Sequence, residues 1–120
     1  MRLEVLIPGL KIVSTANLRE HWTARAARNK DHRKTAWASM LSARAEAPET
    51  GKFLVELTRI YPPRGKPMDS DNLSSGFKAV RDGVADWLCM DDGSAKIKWV
   101  TSQEQSAAWG VRIVVSIEPK

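Results

Sequence analysis

A run of apolar residues at helical spacing constrains the fold of this chain more than any other feature. The run has intervals of four, three, four and three residues and consists of Leu73, Phe77, Val80, Val84 and Trp87. This spacing places the side chains on one face of an α-helix, which predicts a helix that packs on a sheet. Gly76 and Gly83 lie inside the run and lower its intrinsic helix stability. Each glycine therefore either permits close packing or marks an irregularity.

Shorter stretches have the pattern of β-strands, in which apolar and polar residues alternate. They run from Arg2 to Ile7, from Phe53 to Tyr61, from Ile97 to Thr101 and from Val111 to Ile117. Between the last two, the segment from Gln103 to Gly110 is typical of a hairpin turn.

A long segment between the first two strands has the pattern of a helix. No Gly or Pro occurs from Asn17 to Ala47, and we expect helix at least from Ala24 to Ala45, with its end at Pro48. The core-facing residues of its second half are Trp37, Met40 and Leu41. The resulting order β-α-β-α-β-β predicts an α+β fold with helices packed on a mixed sheet, in a single domain of residues 1–120.

The chain is basic, with 19 Lys and Arg residues against 14 Asp and Glu, a formal net charge of +5 and a pI near 9.7. This balance favours a polyanionic partner. Part of the excess lies in the first half of the long helix, where Arg25, Arg28 and Lys30 occur close together. Such a run is either a solvated charged face or a surface that contacts phosphates, and the sequence leaves both open.

Carboxylates are nevertheless concentrated at the two ends of the amphipathic run. Asp69 and Asp71 precede it, and Asp91 and Asp92 follow it. Residues two apart can point to the same side of an extended segment. If the chain folds back after the helix, Asp92 joins the first two carboxylates. Oxygen ligands without His or Cys suit Mg²⁺ or Mn²⁺ rather than Zn²⁺.

Two structural roles compete with a metal site. Asp69 or Ser70 can cap the helix, whose dipole also favours Asp71, and Asp-Asp-Gly is a common turn sequence. An EF-hand loop is excluded, because counting from Asp69 puts Ser74 where Gly is needed and Val80 where a bidentate Glu is needed. Metal binding and the pair of structural roles both stay open.

A stiff basic loop leads into the acidic segment. It runs from Pro62 to Pro67 and contains Arg64 and Lys66. Because proline restricts φ, the loop enters the acidic site with few conformations. Its two cations are therefore candidates for salt-sensitive phosphate contacts without base preference.

The cysteine content and the lack of long apolar stretches indicate where in the cell the protein is found. Cys89 is the single cysteine, so no intrachain disulfide can form, and its place in an apolar run predicts a small core residue. No stretch has the pattern of a signal peptide or approaches the ~18 apolar residues of a membrane span. We therefore expect a cytoplasmic protein without a membrane partner.

The acidic motif resembles the signature of the RusA family of Holliday junction resolvases, endodeoxyribonucleases common on phages and prophages. The matching residues are Asp69-Ser70-Asp71-Asn72-Leu73, Trp87-Leu88 and Asp91-Asp92. The N-terminal region of many RusA-like proteins is similar to Asn17, His21-Trp22 and the basic residues after them. The order of elements extends the resemblance over essentially the whole chain.

The resemblance implies a Mg²⁺-dependent homodimeric nuclease, with Mn²⁺ as a substitute ion, that nicks two strands of four-way DNA junctions during recombination and repair. Its catalytic, metal-binding carboxylates map onto Asp69, Asp71 and Asp92. We expect the DNA backbone to be held by the cations Arg25, Arg28, Lys30, Arg64 and Lys66. A two-fold dimer suits two symmetric nicks.

One position departs from the family pattern. The family has a catalytic lysine four residues after the second motif aspartate, where this chain has Ser75. Lys66 or Lys78 can instead supply a charge that stabilises the phosphate. The departure also supports an alternative, a non-catalytic DNA-binding protein that retains the fold.

The patterns around the two histidines and around two of the tryptophans favour structural roles. His21 and His32 lack a partner at fixed spacing, so we interpret both as surface or structural residues. Trp99 and Trp109, in and before the last two strands, are candidates for a dimer interface.

Overall fold

The computed structural model describes residues 1–13, 22–48 and 51–117. The elements of these residues are, in order, β1 (Arg2–Pro8), α1 (Trp22–Ala43), β2 (Phe53–Tyr61), α2 (Ser70–Gly76), α3 (Lys78–Leu88), β3 (Ile97–Gln105) and β4 (Gly110–Ile117). The described strands form one mixed sheet, and the helices share a core with it. The predicted α+β class is therefore confirmed.

The sheet has the strand order β1-β4-β2-β3. β4 runs antiparallel to both β1 and β2, whereas β2 and β3 are parallel. The hairpin predicted from Gln103 to Gly110 is therefore wrong, because β3 pairs with β2 and the chain must cross the end of β2 to reach β4. β4 is apolar on both faces, as Val114 is buried on one and Ile113 and Val115 on the other, and such a strand belongs in the interior of a sheet.

The core lies between the helices and one face of the sheet. Phe53, Val55 and Leu57 alternate along β2 and are fully buried on this face. Val115 and Ile113 lie opposite Val55 and Leu57 in register and are also fully buried. The period of two in the sequence therefore correctly gave the buried side of β2.

α1 follows the prediction in the described residues but ends early. It runs from Trp22 to Ala43, five residues before Pro48, while the predicted helical residues 17–21 lie outside the described residues. Met40 is fully buried, as expected. Trp37, which we expected to face the core, is 41% exposed. It lies one position along from Ala36, and the small Ala36 takes the buried place against α3.

The amphipathic run forms two helices rather than one. α2 ends at Gly76 and α3 begins at Lys78, with the Phe77 amide donating to the carbonyl oxygens of Leu73 and Ser74. A Cβ at Gly76 would lie 2.8 Å from both Ile12 Cγ2 and the Val13 oxygen. All five apolar residues of the run are buried, which confirms its predicted core face.

Gly83 permits a close crossing of α1 and α3. A Cβ at this position would lie 2.3 Å from the backbone oxygen of Arg33 and 2.8 Å from the Cβ of Ala36. Gly76 and Gly83 therefore illustrate the two expected roles, since Gly76 adjoins the break between two helices and Gly83 allows two helices to approach.

α3 ends in a left-handed residue. Cys89 has a φ of 57°, and the amide of Met90 donates to the Ala85 oxygen at 3.0 Å, a pattern that satisfies carbonyls at helix ends. The prediction that Cys89 is a core residue is wrong, because the left-handed turn leaves this side chain exposed.

None of the helices in the described ranges is long and apolar enough to cross a membrane.

Candidate functional site

Asp69 caps the N-terminus of α2. Its Oδ1 accepts a hydrogen bond from the Asn72 amide at 2.8 Å, and its Oδ2 accepts one from Asn72 Nδ2 at 3.0 Å. Its extended backbone, with φ −69° and ψ 165°, is usual for a cap. The capping role that the sequence left open is therefore present. Asp69 is exposed, and each carboxylate oxygen can accept further bonds beyond the one it accepts here.

Asp71 lies in the first turn of α2 and is exposed. A carboxylate at this place is favoured by the partial positive charge of the helix N-terminus. Asp69 and Asp71 are thus two exposed oxygen donors at one end of a short helix.

Asp92 is held by a lysine. Lys78, the first residue of α3, forms ion pairs with the carboxylates of Asp92 and Asp82, the second at 2.9 Å. The hydrogen bond from Lys78 lowers the pKa of Asp92, and the hydrogen bonds to Asp92 and Asp82 raise the pKa of Lys78. Lys78 and Asp92 are consequently both charged near neutral pH. Lys78 was one of two candidates to replace the missing family lysine, and it contacts Asp92, one of the predicted metal ligands.

The turn that carries Asp92 is fixed to the sheet. The indole N–H of Trp99 on β3 donates to the Asp92 backbone oxygen at 2.8 Å. The Ser94 amide closes the turn on the Asp91 oxygen at 3.0 Å. The predicted Asp-Asp-Gly turn is therefore present, and it presents the Asp92 side chain to α3.

The three predicted carboxylates do not form a compact group. In the ranges 1–13, 22–48 and 51–117, no three Asp, Glu, His or Cys side chains are close enough together to hold a metal ion. The donor chemistry of Asp69 and Asp71 fits Mg²⁺, while the Asp92 carboxylate is paired with Lys78. The assignment of Asp69, Asp71 and Asp92 to a metal site stays a prediction.

The basic helix reaches the same region. Lys30 and Arg33 of α1 line a cleft of about 250 Å³ together with Lys78 and Asp82 of α3. Arg33 donates two hydrogen bonds to Asp86, at 2.7 and 2.8 Å, and so ties the two helices together. Lys30 thereby lies in one cleft with Lys78 and Asp82, while Arg25 lies exposed nearer the start of the helix.

Arg81 is a cation at this site that the sequence analysis missed. Its positive charge contributes to the lowered pKa of Asp92. Its Nε is buried and has no hydrogen-bond partner among the described residues. The signal that could have found it is the spacing Lys78–Arg81–Asp82, which places three charges on one turn of the helix.

The loop before Asp69 is held by Arg59 and Gln103, which the sequence analysis also missed. Gln103 on β3 accepts from the Met68 amide at 2.9 Å and donates to the Met68 oxygen at 2.7 Å. Arg59 donates from Nη1 to the Lys66 oxygen at 2.9 Å and to Gln103 Oε1 at 3.2 Å. These bonds fix the backbone from Lys66 to Met68, which delivers Asp69 to the start of α2.

Arg59 is 3% exposed, although it is charged. Burial lowers the pKa of its guanidinium, and no carboxylate in the described parts of the chain pairs with it. Arg59 continues the buried alternation of Phe53, Val55 and Leu57. An arginine at a position of β2 where the alternation predicts a buried side chain was therefore the sequence feature that could have identified Arg59.

Comparison with known proteins does not assign this chain to a family. No family model matches the chain. A protein of Xylella fastidiosa (strain Temecula1 / ATCC 700964), named as an uncharacterized protein, is 36% identical over 81 residues, which make up 63% of this chain and 51% of that protein. The chain therefore spans about half the length of this relative.

Proposed function

We propose that this protein is a Mg²⁺-dependent, structure-selective DNA endonuclease of the Holliday junction resolvase type, which hydrolyses phosphodiester bonds in branched DNA during recombination and repair. The observation that carries the proposal is the position of Lys78. Its ammonium lies on Asp92 and lines the same cleft as Lys30 of the basic helix. A lysine is thus present at the acidic site even though Ser75 occupies the family position.

Lys78 has the properties required to hold a phosphate. Its pKa is raised by its two carboxylate partners, so it stays protonated, and 54% of its side chain is exposed to an incoming strand. A phosphate oxygen that pairs with Lys78 competes with Asp92 for the ammonium. DNA binding would in this way free the Asp92 carboxylate.

Asp69 and Asp71 are the residues that would hold Mg²⁺ or Mn²⁺, and Asp92 would join them after its release from Lys78. The ion, when bound, supplies Lewis acidity at the phosphate and a lowered pKa for a bound water. The chain's own residues orient the strand: the loop carrying Arg64 and Lys66 adjoins Asp69 in sequence and is fixed by Gln103.

The cations Arg25, Arg28, Lys30, Arg64 and Lys66 are proposed to hold the DNA backbone. We further propose a homodimer acting in the cytoplasm of a bacterial host and encoded by a phage or prophage. These proposals rest on the resemblance of the acidic motif and on the net charge of the chain.

The variant Asp71→Asn tests the assignment of the site. It removes the charge of an exposed donor while keeping its size, so we expect cleavage of a labelled four-way junction to fall to background and junction affinity to stay within about two-fold of wild type. Glu46→Gln is the matched control, because it removes a carboxylate from an exposed residue between α1 and β2. Cleavage by Asp71→Asn at the wild-type rate would end the proposal.

A second function is favoured by specific contacts. Asp69 serves as a helix cap, Asp92 is paired with Lys78, and Ser75 stands at the family's lysine position. A non-catalytic protein that binds branched DNA would need only the basic surface. Junction binding without any product in Mg²⁺ or Mn²⁺ would favour this function over the first.

A further inference from the structure

Several loops meet at one end of the sheet. Because β4 is antiparallel to β1 and β2, the end of β1 at Pro8 and the end of β2 near Ile60 both lie beside the start of β4 at Gly110. β3 also ends at this end of the sheet, with Gln105 opposite Tyr61. The segments after β1, after β2 and before β4 are therefore neighbours, although they are far apart in sequence.

An indole ring lies at the centre of this end. The Nζ of Lys11 lies 4.7 Å from the centroid of the Trp109 ring, and the Cζ of Arg59 lies 5.2 Å from it. A Cβ at Gly65 would lie 2.9 Å from Trp109 Cη2, so the turn that carries Arg64 packs directly on the ring. We call Lys11, Arg59, Arg64, Lys66 and Trp109 the Trp109 platform.

Trp109 differs from Trp87 and Trp99 in the hydrogen bonding of its indole N–H. The indole N–H of Trp87 donates to the Arg44 oxygen and that of Trp99 donates to the Asp92 oxygen, at 2.9 and 2.8 Å. The indole N–H of Trp109 makes no such bond to any residue that the structure describes, and the side chain is partly exposed. Its ring is therefore held in place by cations and a glycine turn and keeps contact with solvent.

The cations of the Trp109 platform are not neutralised. Neither Lys11 nor Arg59, Arg64 or Lys66 forms an ion pair within the described residues. Elsewhere cations are paired: Arg33 with Asp86, and Arg112 with Glu104 and Glu4. Lys11, Arg64 and Lys66 are exposed. Cations that form no ion pair in the described residues thus lie on the Trp109 ring and in the loop packed against it.

We propose that the Trp109 platform binds an unpaired segment of a nucleic-acid strand, with a base stacked on the Trp109 ring and the adjacent phosphates held by Lys11, Arg64 and Lys66. A base takes the place of the Lys11 ammonium over the ring, and that ammonium moves to a phosphate. Aromatic rings beside basic side chains are the usual means of binding single strands, since every base has a π-face. A paired base is already stacked, which makes the unpaired strand the ligand.

Arg59 has a different part in this site. It stays buried, supports the ring from beneath the surface and holds the Lys66 backbone. It therefore acts as a positioning residue for Trp109 and for the loop that carries the phosphate-binding cations.

This inference deepens the proposed function, since it names a strand-binding surface of the proposed nuclease, but its test measures binding alone. Fluorescein-labelled oligothymidine of about 15 nucleotides is titrated with the full chain in EDTA, and anisotropy gives the dissociation constant. We expect Trp109→Ala to weaken binding by about ten-fold and Trp109→Phe, which keeps a stacking ring, to stay within about three-fold. Trp37→Ala, which removes an indole exposed on α1, is the matched control and should bind like wild type.

Lys11→Gln provides a second variant, because Lys11 is exposed and lies outside the core. We expect weaker binding and a salt dependence reduced by about one phosphate contact. Oligouridine in place of oligothymidine separates RNA from DNA as the source of the strand. Binding of Trp109→Ala equal to wild type, no binding by wild type, or an equal loss for a fully paired duplex would each overturn the proposal.

The outcomes separate the two proposals. Loss of binding in Trp109→Ala, together with wild-type cleavage by Asp71→Asn, would retain the platform and remove the proposed nuclease site. Cleavage that depends on Asp71, together with wild-type binding by Trp109→Ala, would retain the nuclease and remove the platform.

Discussion

Lys78 contacts two carboxylates at once, Asp82 one turn along α3 and Asp92 in the turn after it. Lys78 thereby holds the Asp92 carboxylate in an ion pair. The pair links the ionisation of Asp92 to the folded state, because the Lys78 hydrogen bond lowers the pKa of Asp92 below its ordinary value of 3.8. A carboxylate with a depressed pKa stabilises the fold above its unfolded pKa, and this contribution is lost as the pH falls through the folded pKa.

We predict that Lys78→Met raises the pKa of Asp92 towards or above 3.8 and reduces junction cleavage at least about ten-fold. The carboxyl titration of Asp92 followed by NMR measures the first effect. Lys98→Met, which removes an exposed lysine from β3, should change neither quantity. An unchanged Asp92 titration in Lys78→Met would show that the ion pair does not persist in solution.

The burial of His32 predicts how the stability of the protein depends on pH. It is 7% exposed, and burial lowers its pKa from 6.5. Because the unfolded chain then binds more protons than the folded one, stability falls as the pH drops below about 6.5, until the folded pKa is reached. We predict that the urea midpoint of wild type falls between pH 7.5 and 5.5 by more than that of His32→Gln. Equal falls would contradict a buried, neutral His32.

Single residues also show where sequence reasoning reached its limit. The position of Asp69 before α2 was evident, but a carboxylate at that place can cap a helix or bind a metal, and the cap became evident only from the hydrogen bond to Asn72. The role of Lys78 depends on a turn fourteen residues away that must fold back onto α3. Arg59 was overlooked because the oxygens that accept its hydrogen bonds, on Ile12, Lys66 and Gln103, belong to three separate segments.

At the scale of elements, the helices are set by two glycines. Gly83 lets α3 approach α1, where the Arg33 oxygen leaves no space for a side chain. We predict that Gly83→Ala lowers the free energy of unfolding by about 1–3 kcal/mol, because forced overpacking exceeds the gain of about 1 kcal/mol in helix propensity.

Gly93→Ala is the control for this prediction, since a Cβ there meets nothing within 4 Å, and it should be nearly neutral. Chemical denaturation of both variants measures the effect. A Gly83→Ala protein as stable as wild type would mean that the helices separate without cost.

The elements themselves were largely evident from the sequence, because their signals are local. β2 was predicted with its observed bounds, Phe53–Tyr61. The break between α2 and α3 was not, since it accompanies contact of Gly76 with Ile12 and Val13, which are distant in sequence. The pairing of β3 was missed for the same reason: alternation gives the buried face of a strand and not its neighbour.

At the scale of the whole molecule, the strand order determines which residues can act together. It places β2 between β3 and β4, so that the loop from Pro62 to Met68 lies between Trp109 and Gln103. That loop joins the Trp109 platform to Asp69 within a few residues. In the two proposals made above, a strand bound on the platform would therefore lead towards Asp69.

Cleavage of a four-way junction is the most direct test of whether this protein is the proposed metal-dependent nuclease. Each strand is end-labelled in turn, and the products formed with Mg²⁺, with Mn²⁺ and with EDTA are compared on a denaturing gel. We predict two symmetrically placed nicks on opposite strands with either ion and none with EDTA. A junction that is bound but stays intact with both ions would rule out the proposed nuclease.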